Sequence, residues 1–160
     1  MLFRSIQGAL DRLYRKVAGE TPAASNPEAL AQLTSRSKLL DDALASEAKA
    51  ETGMTAAQQR FLSIDVSLGL QIAHHQTHAA LKLEEALRAP DAIRMWQLVG
   101  EARTYLEQLE TEFARGEYPP FDRWYHETWI RSARSLNNPH RAFNQLRAFI
   151  GSEGHGSITR

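Results

Sequence analysis

Three histidines stand close together in the segment from Ile72 to His78, at positions 74, 75 and 78. In a helix with about 100° between successive residues, His74 and His78 lie on one face, roughly 40° apart. Helical zinc ligands use this spacing, and their imidazole nitrogens bind the ion. The sequence shows neither a third ligand nor the HExxH pattern of metalloproteases. We therefore expect solvated or packing histidines, no metal and no other cofactor.

Other motifs of catalytic chemistry are also missing. No Gly-x-Ser-x-Gly elbow accompanies the serines and histidines, and no glycine-rich loop precedes a helix to bind phosphate. Asp122 and Glu127 are about 140° apart on a helix, so they do not face one cleft as an acid–base pair. The chain has no cysteine, which excludes disulfides, thiolate nucleophiles and cysteine-based metal sites. The catalytic residues, if this chain holds any, are unknown from the sequence.

Two polar residues fall on the apolar face predicted for the helix that carries the histidines. Asp65 and Gln76 lie on that face, and Gly69 follows one turn after Asp65. A buried carboxylate must be paired or hydrogen-bonded. Either Asp65 and Gln76 bond donors from a neighbouring helix, or Asp65 lines a pocket completed by a ligand or an upstream segment. The apolar residues of this face are Phe61, Leu68, Ile72, Ala79 and Leu83.

The segment Tyr118 to Ile130 is the densest aromatic stretch of the chain. Flat apolar rings beside polar groups are the chemistry of a sugar platform or of base stacking. The alternative is that these rings anchor a short C-terminal helix pair to the longer helices. The candidate ligand-binding residues are Trp124, Tyr125, His126, Trp129 and Arg131.

Apolar spacing and helix caps predict four helices in the first 116 residues. A four-three-four spacing marks the first, and an Asn-Pro start and a Thr-x-x-Gln capping box mark the next two. The helices are 6–18 with the stripe Ile6, Leu10, Leu13 and Val17, then Asn26 to about Lys49, Thr55 to about Arg88, and a fourth after Asp91 that ends at Gly116.

Two shorter helices are predicted after Pro119-Pro120, over 121–136 and 138–151. Because no strand pattern is visible, the predicted fold is all-α. It is a bundle of four to six helices, with two long central helices and a short aromatic-rich C-terminal pair. The predicted organisation is an amphipathic N-terminal helix in 1–20, a helical bundle domain in 26–150 and a flexible tail in 151–160.

Length and charge exclude several classes of protein. The 160 residues suit one domain, and the 19 basic and 19 acidic residues give a formal net charge of zero. We therefore expect no nucleic-acid partner, and the apolar runs are too short for a membrane span. Fifteen arginines against four lysines are typical of a GC-rich bacterial genome.

The first residues indicate a chain cut from a longer protein. Leu2-Phe3-Arg4-Ser5 is the in-frame translation of the end of a common sequencing adapter, so native sequence would start near Ile6. The alternative is an ordinary bacterial start. Charges throughout the first 20 residues leave no apolar core of a secretion signal. In a truncated chain, the catalytic part would lie upstream.

Three elements of the C-terminal half carry a family resemblance. They are the FDxWYxxTWI stretch of 121–130, the Asn-Pro-His start at 138–140 and the Leu-Arg-Ala-Phe ending at 146–149. With them, about residues 60–150 resemble the C-terminal helical region of large bacterial glycoside-hydrolase-like proteins. The resemblance implies a helical part that packs on an upstream catalytic domain, with Trp124, Tyr125 or Trp129 lining a sugar site. If the N-terminus is truncated, it also implies an extracytoplasmic protein.

Three functional hypotheses result. The first is a non-catalytic C-terminal helical portion of a larger carbohydrate-active enzyme, with the parent's catalytic domain and carbohydrate as partners. The second is a self-standing bacterial protein–protein interaction module that binds its partner through the apolar stripe of the first helix. The third is a small metal-dependent enzyme that uses His74 and His78, and it needs further ligands.

Overall fold

The bundle is arranged around one central helix. The computed structural model describes residues 2–20 and 27–116. Its helices are α1 (Leu2–Val17), α2 (Pro27–Glu51), α3 (Ala56–Leu62), α4 (Leu68–Leu87) and α5 (Ala92–Arg115), and a π-helical turn, Ser63–Ser67, joins α3 to α4. Helix α4 packs against α1, α2 and α5. The described residues contain helices and turns and no strand, which confirms the all-α prediction.

Capping residues start two helices where the sequence predicts them. The Thr55 hydroxyl accepts a hydrogen bond from the Gln58 backbone N–H, and the Gln58 side chain accepts one from the Thr55 N–H at 2.9 Å. The Asp91 carboxylate accepts the Arg94 backbone N–H at 2.7 Å and so caps α5. Each cap satisfies a backbone donor that would otherwise lack a partner in the first turn.

Apolar side chains of α1, α4 and α5 form most of the core, and α2 contributes little to it. Removal of these side chains from water is the main term that stabilises the bundle. The fully buried larger apolar side chains are Ile6, Leu10 and Leu13 of α1, Leu83 of α4, and Val99, Leu106 and Leu109 of α5, whereas Leu33 is the buried apolar residue of α2.

The apolar stripe of α1 lies inside this core. Ile6, Leu10 and Leu13 are each 0% exposed, and Val17 packs against the same cluster. The face that the interaction hypothesis assigns to a partner is therefore covered by the chain's own helices. An interaction module of this fold would need another surface.

The π-helical turn changes which residues of its segment face the core. A π turn contains more residues than an α turn, so the regular angular spacing does not continue across residues 63–67. Asp65 is exposed, and the prediction that it is a buried polar residue is wrong. Phe61, predicted on the apolar face, is 66% exposed. Beyond the turn, Gln76 is half-buried.

Thr77 offers a test of the core. Its side chain is 0% exposed, and its hydroxyl makes no hydrogen bond within the described residues. Valine keeps the β-branched shape and removes the buried unpaired hydroxyl. We expect Thr77→Val to raise the free energy of unfolding by about 1 kcal/mol, measured by urea denaturation with far-UV circular dichroism. Thr104→Val, at an exposed position, is the control. A less stable Thr77→Val variant would show that the hydroxyl has a partner.

The described residues test only part of the predicted division of the chain into helices, bundle domain and tail. No helix within them has the length and apolar character needed to cross a bilayer. The predicted C-terminal helix pair and the tail at 151–160 lie outside the described residues.

Candidate metal centre

Three polar side chains converge between α2 and α4. Asp41 comes from α2, and His74 and His78 come from successive turns of α4. The Nε2 atom of His74 lies 2.9 Å from Oδ1 of Asp41, and Nε2 of His78 lies 3.0 Å from the same oxygen. One possible ligand atom from each residue lies within 4.8 Å of the other two. Without an ion, the carboxylate oxygen accepts a hydrogen bond from each ring.

The antiparallel pairing of α2 and α4 places these residues together. A second contact, from the Ser67 hydroxyl to the Glu47 carboxylate, lies further towards the start of α4 and the end of α2. The side chains of His74 and His78 are 17% and 13% exposed, while that of Asp41 is 50% exposed. Of the two alternatives for these histidines, solvated or packing, the structure shows the second, because the polar side of α4 packs against α2 through Asp41.

Tyr105 of α5 borders the histidines. Its ring stacks on that of His78, with centroids 4.9 Å apart and an interplanar angle of 23°. The His74 ring meets Tyr105 edge-on at 6.0 Å and lies 4.3 Å from the His78 ring. Aromatic contacts of this kind restrict ring rotation, so they help to keep both Nε2 atoms directed at Asp41.

Burial disfavours the charged form of two of the histidines. It lowers the pKa of His74 from the ordinary value of 6.5, as does the charge of His78, against the opposing effect of Asp41. Burial, with the nearby charges of His74, His78 and Arg115, lowers the pKa of His75 to about 4. Since metals bind neutral imidazole, the electrostatics at neutral pH favour a ligand role for His74.

His75 supplies a hydrogen-bond partner behind His74. The two Nδ1 atoms are 3.4 Å apart, and His75 is 8% exposed. A metal on Nε2 of His74 requires the proton of that ring to be on Nδ1, where His75 Nδ1 can accept it. Metal-bound histidines generally donate their second ring N–H in this way, which orients the ring.

The donor set fits a divalent transition metal. Zinc and iron(II) bind two imidazoles and one carboxylate and keep further positions for water or substrate. Two ligand atoms at about 2.1 Å from a tetrahedral zinc ion are about 3.4 Å from each other. The two distances from Asp41 Oδ1 to the histidine nitrogens, 2.9 and 3.0 Å, are those of hydrogen bonds and lie within about 0.5 Å of that separation. The half-exposed Asp41 leaves one side of the site open to solvent.

The structure brings together some of the predicted residues and adds one that the sequence analysis missed. His74 and His78 share a face as their spacing predicts, and Asp41 supplies the third possible ligand. One sequence feature points to Asp41: on a helical wheel it lies at the edge of the side of α2 that carries Leu40 and Leu44. A polar residue at such an edge can reach a neighbouring helix.

Of the other predicted site residues, the two that the structure describes do not join this cluster. Asp65 is exposed in the π-helical turn, and Gln76 is half-buried on α4. The candidate sugar-binding residues Trp124, Tyr125, His126, Trp129 and Arg131 lie outside the described residues. The predicted sugar site therefore stays a prediction.

No family model matches this chain, and searches of curated proteins and of solved structures give no match. The resemblance to glycoside-hydrolase-like proteins stays a prediction. The geometry of Asp41, His74 and His78 is accordingly the observation from which a function can be inferred.

Proposed function

We propose that this protein binds a divalent transition-metal ion, with zinc as the first candidate, through Asp41, His74 and His78. The observation that supports the proposal is one carboxylate oxygen 2.9 and 3.0 Å from two imidazole Nε2 atoms. The metal-dependent hypothesis lacked a third ligand at the level of sequence, and Asp41 provides it. Imidazole nitrogens select against magnesium and calcium, which prefer oxygen ligands.

Three protein ligands leave a coordination position for water on the solvent side. Structural zinc sites have four protein ligands, whereas catalytic sites have three and a water molecule. Zinc lowers the pKa of a bound water to about 7, and the resulting hydroxide is a nucleophile at neutral pH. Metal binding with one exchangeable position is therefore the function that this geometry supports best.

Zinc titration by isothermal calorimetry tests the proposal. The chain is prepared without a histidine tag, stripped with a chelator and titrated at neutral pH. We expect one zinc per chain, and a loss of affinity of more than about 100-fold in Asp41→Asn, because the charged ligand is removed. Asp42→Asn, at the exposed neighbouring position, is the matched control. Absence of stoichiometric binding, or an equal loss in Asp42→Asn, would contradict the proposal.

Two spectroscopic measurements identify the ligands. Cobalt(II) substitution should give visible absorption bands that disappear in Asp41→Asn and stay in Asp42→Asn. In ¹⁵N NMR spectra, zinc should move the ring proton of His74 and of His78 to Nδ1. Unchanged tautomers in the presence of bound zinc would place the ion elsewhere in the chain.

The carbohydrate-enzyme hypothesis remains separate from this proposal. Its partners are the catalytic domain of a parent protein and a carbohydrate, and its candidate sugar-binding residues lie outside the described part of the chain. It makes no use of Asp41, His74 or His78, so the zinc titration does not test it.

A further inference from the structure

The two halves of α2 are attached to the bundle in different ways. The buried residues of α2 are Leu33 and Ser37, and none of the residues from 38 to 51 is buried. Helix α1, in contrast, has four residues that are 0% exposed. Burial of apolar area is what holds most surface helices to a core. The segment 38–51, the C-terminal half of α2, buries little apolar area.

Polar contacts connect this half of α2 to the rest of the chain. Asp41 contacts both histidines, the Ser67 hydroxyl donates to Glu47, and the Gln59 side chain donates to the Glu51 carbonyl at 3.2 Å. Burial, together with the charge of Glu51, raises the pKa of Glu47 above its ordinary value. Water can replace contacts of this kind when a helix detaches, so their net contribution to docking is small.

The proposed metal ligands lie on both sides of this weakly held contact. Asp41 belongs to the C-terminal half of α2, whereas His74 and His78 belong to α4, which is fixed in the core by Leu83 and its neighbours. An ion can bind all three ligands only when the two helices are docked. By linkage, a ligand that binds only one of two states multiplies the population ratio in favour of that state by one plus the ratio of its concentration to its dissociation constant.

We propose that a metal ion at Asp41, His74 and His78 controls the docking of the C-terminal half of α2 on α4. With the ion bound, residues 38–51 are held against α4. Without it, they open and close locally while α1, α4 and α5 stay folded. This inference rests on the proposed metal-binding function, and it adds a regulated helix to the site.

Hydrogen–deuterium exchange of the full chain tests the docking. Exchange is followed by mass spectrometry with a chelator and with zinc at about 100 times its dissociation constant. We expect backbone amides of 41–51 to exchange about 10-fold or more slowly with zinc, towards the limit of about 100-fold set by linkage. Amides of α1 and α5 should change less than about 2-fold, since local opening does not involve them. Asp41→Asn should lose the effect of zinc, and Asp42→Asn should keep it.

The possible results separate the two proposals. Zinc binding by calorimetry without slower exchange in 41–51 would overturn the docking inference and leave metal binding intact. Equal slowing in α1, α2 and α5 would also overturn it, because the ion would then stabilise the whole bundle. Absence of zinc binding would overturn the proposed function itself. Far-UV circular dichroism of both variants verifies that they are folded.

Discussion

Replacing Arg12 by methionine is expected to lower the free energy of unfolding by about 2–4 kcal/mol, because Glu84 then stays buried without its ion-pair partner. The Glu84 side chain is 5% exposed, and Nη2 of Arg12 donates to its Oε1. The other carboxylate oxygen has no hydrogen-bond partner within the described residues. Arg12 is 27% exposed, so solvent weakens the pair and the loss stays below that of a fully buried one.

A double variant distinguishes the cost of leaving Glu84 buried without a partner from the net contribution of the Arg12–Glu84 ion pair to stability. Arg12→Met combined with Glu84→Met should be within about 1 kcal/mol of the original chain, or more stable, because both desolvated charges are removed. Arg15→Met, on the exposed side of the same helix, should change stability by less than about 1 kcal/mol. Urea denaturation measures all three. Equal effects of Arg12→Met and Arg15→Met would show that the Glu84 carboxylate is solvated.

The position of α1 along α4 depends on this pair and on a second polar contact. Lys16 lies one turn after Arg12, and its ammonium donates to the Leu87 carbonyl at 2.8 Å. Apolar contacts between helices tolerate small shifts, whereas hydrogen bonds at two successive turns do not. The two contacts therefore fix a parallel alignment that the apolar stripe of α1 leaves open.

Local chemistry explains why most of the fold is predictable from the sequence. The α1 stripe and the caps at Thr55 and Asp91 involve residues within one or two turns of each other, so the sequence displays them directly. The π-helical turn is different, because no residue type marks an extra residue in a turn. Prediction of one continuous helix through residues 63–67 consequently placed Asp65 and Phe61 on the wrong side.

The candidate site is predictable only in part, for a related reason. Helical periodicity shows that His74 and His78 share a face, but it does not show what covers that face. Asp41 lies 33 residues before His74, and the alignment of α2 with α4 brings it there. Tyr105 reaches His78 through the packing of α5 on α4 in the same way. Such contacts depend on how whole helices pair, which one sequence does not display.

Acidification of the metal-free chain is expected to lower its free energy of unfolding by roughly 2–4 kcal/mol between about pH 6.5 and pH 4. Burial, with the neighbouring charges, lowers the pKa of His75 from 6.5 to about 4 in the folded chain. In this window the unfolded chain binds the proton that the folded chain rejects, so stability rises with pH. The contribution of His75 is complete above pH 6.5 and is lost as the pH falls through 4.

His75→Gln tests whether His75 is responsible. Urea denaturation at several pH values, with a chelator present, should show a much smaller slope between pH 6.5 and 4.5, because glutamine does not titrate. Most carboxylates titrate below this range, so their contribution to the pH dependence of stability is largely separate from that of His75. His74→Gln should remove a smaller part of the slope, since Asp41 opposes the lowering of its pKa. A slope unchanged in His75→Gln would contradict the prediction, because the buried ring would then accept a proton without cost. A reduced slope would mean that the ring is neutral at neutral pH, the form that can accept the Nδ1 proton of a metal-bound His74.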